Sequence, residues 1–277
     1  MGRTRCADGV GMVDGDRAMS DKVFSPAWRV AAVWAILSML GTALAMPFLL
    51  SLLEGMNPPN PPPLPVLVLA SILQTGVLSF LLAWAGTAAG RKLGVGSPLI
   101  DAWLSKQHHS VEKTFGVAAL LGALGALSVI ALDAVFAPHM PAPARSIPQP
   151  TPFQGLLAAF YGGIAEEVLM RLGASTIFAW LVSKLLGHEG KGRTVSLGMG
   201  VVLGALLFGA GHLPLAFTLW PPSAIVVARI LLLNALVGLL AGWVYVRRGL
   251  EHAVVLHFTA DIVIYVVRPL VIASLGA

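Results

Sequence analysis

Tyr161-Gly162-Gly163-Ile164-Ala165-Glu166-Glu167-Val168-Leu169-Met170-Arg171 is the stretch on which the reading of this chain turns. Apolar sequence flanks it on both sides, from Gly155 to Phe160 before it and from Ile177 to Val182 after it. Two adjacent glutamates and an arginine therefore sit inside what reads as a membrane-embedded helix. A charge at the bilayer centre costs about 3 kcal/mol or more, so such residues face a cavity or a partner. Glu167 and Arg171 are four residues apart, share one helical face and can neutralise each other. Glu166 is turned away by about 100° and needs a partner from elsewhere in the chain.

The composition around this stretch settles the class. Of 277 residues, 57% are hydrophobic and 11% charged, against about 25% charged in an average soluble domain. The fold expected is all-α: a polytopic integral membrane bundle of about seven to eight transmembrane helices. The formal net charge of +5 does not point to nucleic acid, because the lysines and arginines stand at the ends of apolar segments, as the positive-inside rule requires. A single cysteine, Cys6, excludes an internal disulfide framework.

Moving outward, residues 1–27 are polar, lack the apolar core of a signal peptide and read as a disordered cytosolic tail. Residues 28–149 hold three apolar segments, at 28–53, 64–89 and 114–137, each long enough to span about 20 residues of bilayer. Proline-rich loops follow the first and the third, the latter with one basic residue, Arg145. A basic loop with Lys106 and Lys113 follows the second. Its His108-His109 pair has no third ligand nearby and reads as polar surface. Gly116, Gly122 and Gly125 suit close helix packing in the third span, where Asp133 reads as a polar group near the interface. The central segment, 152–187, would be about 54 Å long as one helix, too long for a core of about 30 Å. It is expected to break near Gly173 or to turn its second half along the interface. Further spans are read at 195–216, 224–246 and 251–275. Basic and neutral loops then alternate, which gives seven crossings with the N-terminus inside. Arg229 and Arg268 fall toward the outer side, against the rule.

Three groups of ionisable residues punctuate the second half: Glu166-Glu167-x-x-x-Arg171, Phe208-x-x-x-His212 and His257-x-x-x-Asp261. His257 and Asp261 share a helical face. Taken singly, a membrane histidine is commonly a helix-to-helix hydrogen bond and a Glu–Arg pair a structural one. Together, two imidazoles and three carboxylates from three segments are the raw material of a buried acid–base or metal site.

The order E-E-x-x-x-R, F-x-x-x-H and H-x-x-x-D on successive membrane helices resembles the CAAX prenyl endopeptidase and bacteriocin-processing family of intramembrane proteases, also called the Abi family, over about residues 150–265. The prenyl-protease branch has asparagine where this chain has Asp261. The resemblance divides the chain into the tail 1–27, N-terminal transmembrane helices 28–149 and a catalytic core 150–277. It implies an integral protein of a prokaryotic cytoplasmic membrane that cuts a membrane-associated peptide or protein. Glu166 and His212 would activate water, His257 and Asp261 would serve the oxyanion, and Glu167, Arg171 and Phe208 would support them. No cofactor is expected. The alternative is a zinc protease with Glu166, His212 and His257 as ligands, leaving one position for water, although the H-E-x-x-H pattern is absent. A proton-relaying transporter or a scaffold is the non-enzymatic alternative. A transporter would show repeats and interrupted helices in both halves, and none is apparent. One difficulty stands: counted along their own segments, His212 and His257 fall at depths that differ by roughly 17 Å.

Overall fold

The computed structural model describes residues 24–56, 62–107, 114–144 and 150–276. Cys6, His108-His109, Lys113 and Arg145 lie outside them, as does the tail up to residue 23. The described residues are helical, without a strand, and seven helices are long and apolar enough to cross a membrane. This is the all-α integral membrane bundle expected from the composition, with seven spans.

The helices are α1 (Ala27–Met56), α2 (Leu64–Leu93), the short α3 (Pro98–Leu104), α4 (Phe115–Phe136), α5 (Pro152–Leu186), α6 (Gly190–Gly211), the short α7 (Leu213–Leu219), α8 (Ala224–Arg248) and α9 (Leu250–Ser274). Residues 24–26 are not part of a loose tail. The Ser25 amide and hydroxyl donate to Asp101 at 2.9 and 2.6 Å, and Arg91 donates to the Ser25 carbonyl. A polar hook thus pins the start of α1 to α2 and α3.

α5 does not break at Gly173, nor does it turn along the interface. It runs unbroken from Pro152 to Leu186, but residues Tyr161–Glu166 and Val168–Ser175 are wound as π-helix. The i→i+5 winding is wider and shorter per residue than an α-helix, which relieves part of the excess length. Gly173 is a packing residue: a Cβ there would stand 2.8 Å from Cβ of Leu82 on α2. Lipid offers no hydrophobic drive between helices, so association relies on such close backbone approach. Gly122 of α4 lets the Leu256 carbonyl of α9 approach, and Gly125 leaves room for Leu240 of α8; Gly116 meets nothing and is not a contact glycine. The core they close includes Val30, Trp34, Val168, Leu172, Tyr245 and Leu256.

The basic residues gather at one end. Arg193 donates to the Leu93 carbonyl at 2.7 Å, and Lys92 and Lys184 both lie against the Trp180 ring. At the other end the exception Arg229 is explained by Asp133, whose carboxylate accepts from its Nε at 2.8 Å and pairs with its Nη2 at 2.6 Å. Asp133 is thus the partner of a cation, not a bare interfacial group.

The depth difficulty also resolves here. His212 lies 22 residues past the start of α6, and His257 seven past the start of α9. At about 1.5 Å per residue the offset is about 22 Å. The two helices do not start level. The first residues of α9, Leu250 to Ala253, are buried, and the Leu250 amide donates to the Gly96 carbonyl at 2.9 Å. Glu251 Oε1 accepts from the Ser97 hydroxyl at 2.6 Å and from the Leu99 and Ile100 amides at 2.9 and 3.1 Å. The loop before α3 thus covers the start of α9, and His257 meets the same Glu166 carboxylate as His212.

Candidate active site

The π-wound stretch of α5 is flanked by α6 and α9, both antiparallel to it. On the α6 side, Gly200 and Gly204 close on Ser175; on the α9 side, Gly163 closes on Phe258. A side chain at Gly162 would overlap the Asp261 carboxylate and stand 3.5 Å from His257 Nε2. The Gly162-Gly163 pair is therefore what lets α9 bring its two polar groups onto α5. The sequence alone does not assign these glycines this role.

His257 Nδ1 donates to Glu167 Oε1 at 2.9 Å, and that oxygen also lies 3.2 Å from Arg171 Nη2. Glu167 and Arg171 are wholly buried. Arg171 completes its surroundings with the Phe208 ring face, 5.4 Å from its guanidinium carbon. Glu167 is thus more than a neutraliser of Arg171: it fixes the tautomer and rotation of His257. His212 is fixed likewise, its Nδ1 donating to the Phe208 carbonyl at 2.8 Å. The Phe208 ring meets both imidazoles edge-on, with centroids 4.8 Å from His212 and 5.4 Å from His257. It is the wall between them.

Both free ring nitrogens then point at the partnerless glutamate. His212 Nε2 is 4.0 Å from Glu166 Oε1, and His257 Nε2 is 3.9 Å from Glu166 Oε2. Asp261 Oδ1 is 3.8 Å from His257 Nε2. All four predicted principal residues converge, as do the three supporting ones. Exposure grades across the group: the side chains of His212 and Glu166 are 35% and 20% open, His257 only 5%. The opening lies on the His212 side, and the ion-paired floor lies beneath.

The zinc set Glu166, His212 and His257 is not drawn to ligand spacing. Atoms bound at 2.0–2.1 Å to a tetrahedral zinc stand about 3.3 Å apart, whereas the nearest pairs here are 4.0 and 3.9 Å. Among the described residues no group of three His, Cys, Asp or Glu side chains is placed to hold a metal ion.

Residues 148–263 match the family model described as "Rce1-like: Type II CAAX prenyl endopeptidase Rce1-like". The segment that carries the site is similar to this family. The Rce1-like segment takes in all of the converging residues and begins just before α5, and the match supports an intramembrane protease in general terms. No curated protein and no solved structure matches the chain.

Proposed function

We propose that the Rce1-like segment hydrolyses a peptide bond of a membrane-associated substrate with a water activated by Glu166 and His212. The observation that carries this reading is the approach of both imidazole Nε2 atoms to the Glu166 carboxylate, at 4.0 and 3.9 Å. These gaps are too long for direct hydrogen bonds. A water about 2.8 Å from Glu166 and from His212 subtends an angle near 90° and donates one hydrogen to each. Its lone pair is left for the scissile carbonyl. Glu166 takes the proton as the water oxygen attacks and delivers it to the departing amine as the carbon–nitrogen bond breaks. The other hydrogen stays with the new carboxyl group.

The tetrahedral oxyanion is met by His257. As an imidazolium this side chain donates from Nδ1 to Glu167 and from Nε2 to the oxyanion, where a preorganised donor is worth most. Asp261, 3.8 Å from Nε2, keeps that ring charged, or donates its own proton when neutral. Arg171 offsets the negative charge that Glu166, Glu167 and Asp261 bring together. The substrate reaches the centre from the open His212 side, and a prenylated C-terminus is one substrate class the family name supports. The N-terminus and the basic end are assigned to the cytosol by the distribution of lysine and arginine.

A specific feature favours the zinc reading as the second choice. Each imidazole has one nitrogen anchored to a carboxylate or carbonyl, as metal-bound histidines do. Exhaustive chelation separates the two readings. Glutamate-driven hydrolysis survives it with turnover within about twofold of untreated enzyme, since no metal step exists to lose. Activity abolished by chelation and restored only by zinc would sink the proposal.

A further inference from the structure

At the basic end of the bundle lies a cavity of about 340 Å³ that none of Glu166, His212, His257 or Asp261 lines. It is bounded by the start of α1, the end of α2, the loop into α3 and the turn from α8 to α9. Its charged lining is three arginines, Arg91, Arg247 and Arg248, against one acid, Asp101. Asp101 is already engaged by Ser25 and Arg91. Glycine backbone at Gly94, Gly96 and Gly249 forms part of the wall, and at Gly249 it lets Pro98 pack close. Val30, Leu99 and Val246 supply apolar surface beside the guanidiniums.

We propose that this cavity binds the phosphodiester headgroup of an anionic phospholipid. The volume falls in the range of small-ligand sites, about 300–1,000 Å³. Guanidinium groups match phosphate oxygens by paired hydrogen bonds. The cavity opens where α2 and α8 end and α9 begins, at the end where lysine and arginine gather, the end that faces the anionic leaflet of a membrane. Apolar wall next to the arginines suits the glycerol and first acyl carbons of a lipid better than a free phosphate. The site stands independently of the hydrolytic mechanism. It does touch the same helix: Gly249 and His252 line it, and His257 follows five residues after His252, about 7.5 Å along the axis.

The test uses the purified full-length protein in detergent, with lipid binding read by native mass spectrometry. Phosphatidylglycerol, phosphatidylcholine with the same acyl chains, and soluble glycerol 1-phosphate are titrated separately. The expected result is phosphatidylglycerol bound at least about tenfold more tightly than phosphatidylcholine. Each arginine near an anionic group contributes about a factor of five. The double substitution Arg247→Gln with Arg248→Gln is then expected to weaken phosphatidylglycerol about 25-fold and to leave phosphatidylcholine unchanged. A matched control, Lys184→Gln with Lys191→Gln on the α5–α6 turn, removes equal charge at the same end and is expected to stay within about twofold of wild type. Both arginines are exposed, so the fold tolerates their loss, and a melting curve on each variant checks it. Equal affinity for the two lipids overturns the proposal. So does a lysine control that loses as much as the arginine pair, which would mean diffuse attraction. Glycerol 1-phosphate binding as tightly as the lipid would overturn the lipid as the occupant.

Discussion

Two glutamates in this bundle have opposite surroundings. Glu251, at the start of α9, has one oxygen saturated by three donors from the loop before α3 and its first turn, one of them Ser97, which in turn accepts from Trp34 at 2.9 Å. Glu166, at the centre of α5, sits at 3.9–4.0 Å from two imidazole nitrogens, beyond hydrogen-bond reach of either. A carboxylate with one oxygen held by three donors ties parts together. One that is surrounded at one water's remove keeps its basicity available. The same residue type thus does mechanical work at one end of α9 and, in the proposed reading, chemical work on α5.

The largest effect expected separates the two. Glu166→Gln is expected to lower cleavage of a membrane reporter substrate by about 10²–10⁴-fold, with the melting temperature unmoved because Glu166 anchors nothing. A melting temperature that falls with activity would erase the distinction. Glu167→Ala sharpens it from the other side. It leaves the buried Arg171 without its counter-charge, for which a loss of about 3–5 kcal/mol is expected, read by unfolding in detergent, and cleavage is lost with it because His257 loses its Nδ1 partner. Glu251→Gln is expected to cost about 1.5–3 kcal/mol, with turnover in the folded fraction within about tenfold of wild type. Turnover as low as in Glu166→Gln would mean that Glu251 takes part in the reaction. The smallest pair is a contrast of glycines. Gly162→Ala, pressed against Asp261, is expected to reduce turnover by about 10–100-fold through displacement of that group. Gly198→Ala, which meets nothing within 4 Å, is expected to change stability by no more than about 1 kcal/mol.

Much of this is legible in the sequence. The spans announced themselves through apolar length, and the site through charges that a bilayer tolerates only in company. The pairing of Glu167 with Arg171 followed from helical spacing alone. Its second bond, to His257, could not, because it depends on how α9 is rotated against α5. The π winding left no mark in the residue pattern. It arises where the glycines of α5 and its neighbours allow helices to close on one another, a property of the assembled bundle. Glu251 escaped notice because a single acid beside a run of arginine and glycine looks like ordinary loop polarity. Only the loop before α3, some 150 residues earlier, reveals what it holds. The depth difficulty had the same origin: counting along each helix assumed a common starting plane, and the chain does not provide one.

The wide winding between Tyr161 and Ser175 also governs how this segment can change over generations. A residue inserted or removed between Glu167 and Ser175 rotates everything beyond it by about a quarter of a turn. The Ser175 face that meets Gly200 and Gly204 would swing out of its groove while the glutamates stayed in place. Substitutions can be tried one at a time along α5, but a change in its length must be matched by a re-cut of α6. Between Glu167 and Ser175 the number of residues is thus as firm a requirement as the identity of the buried Arg171.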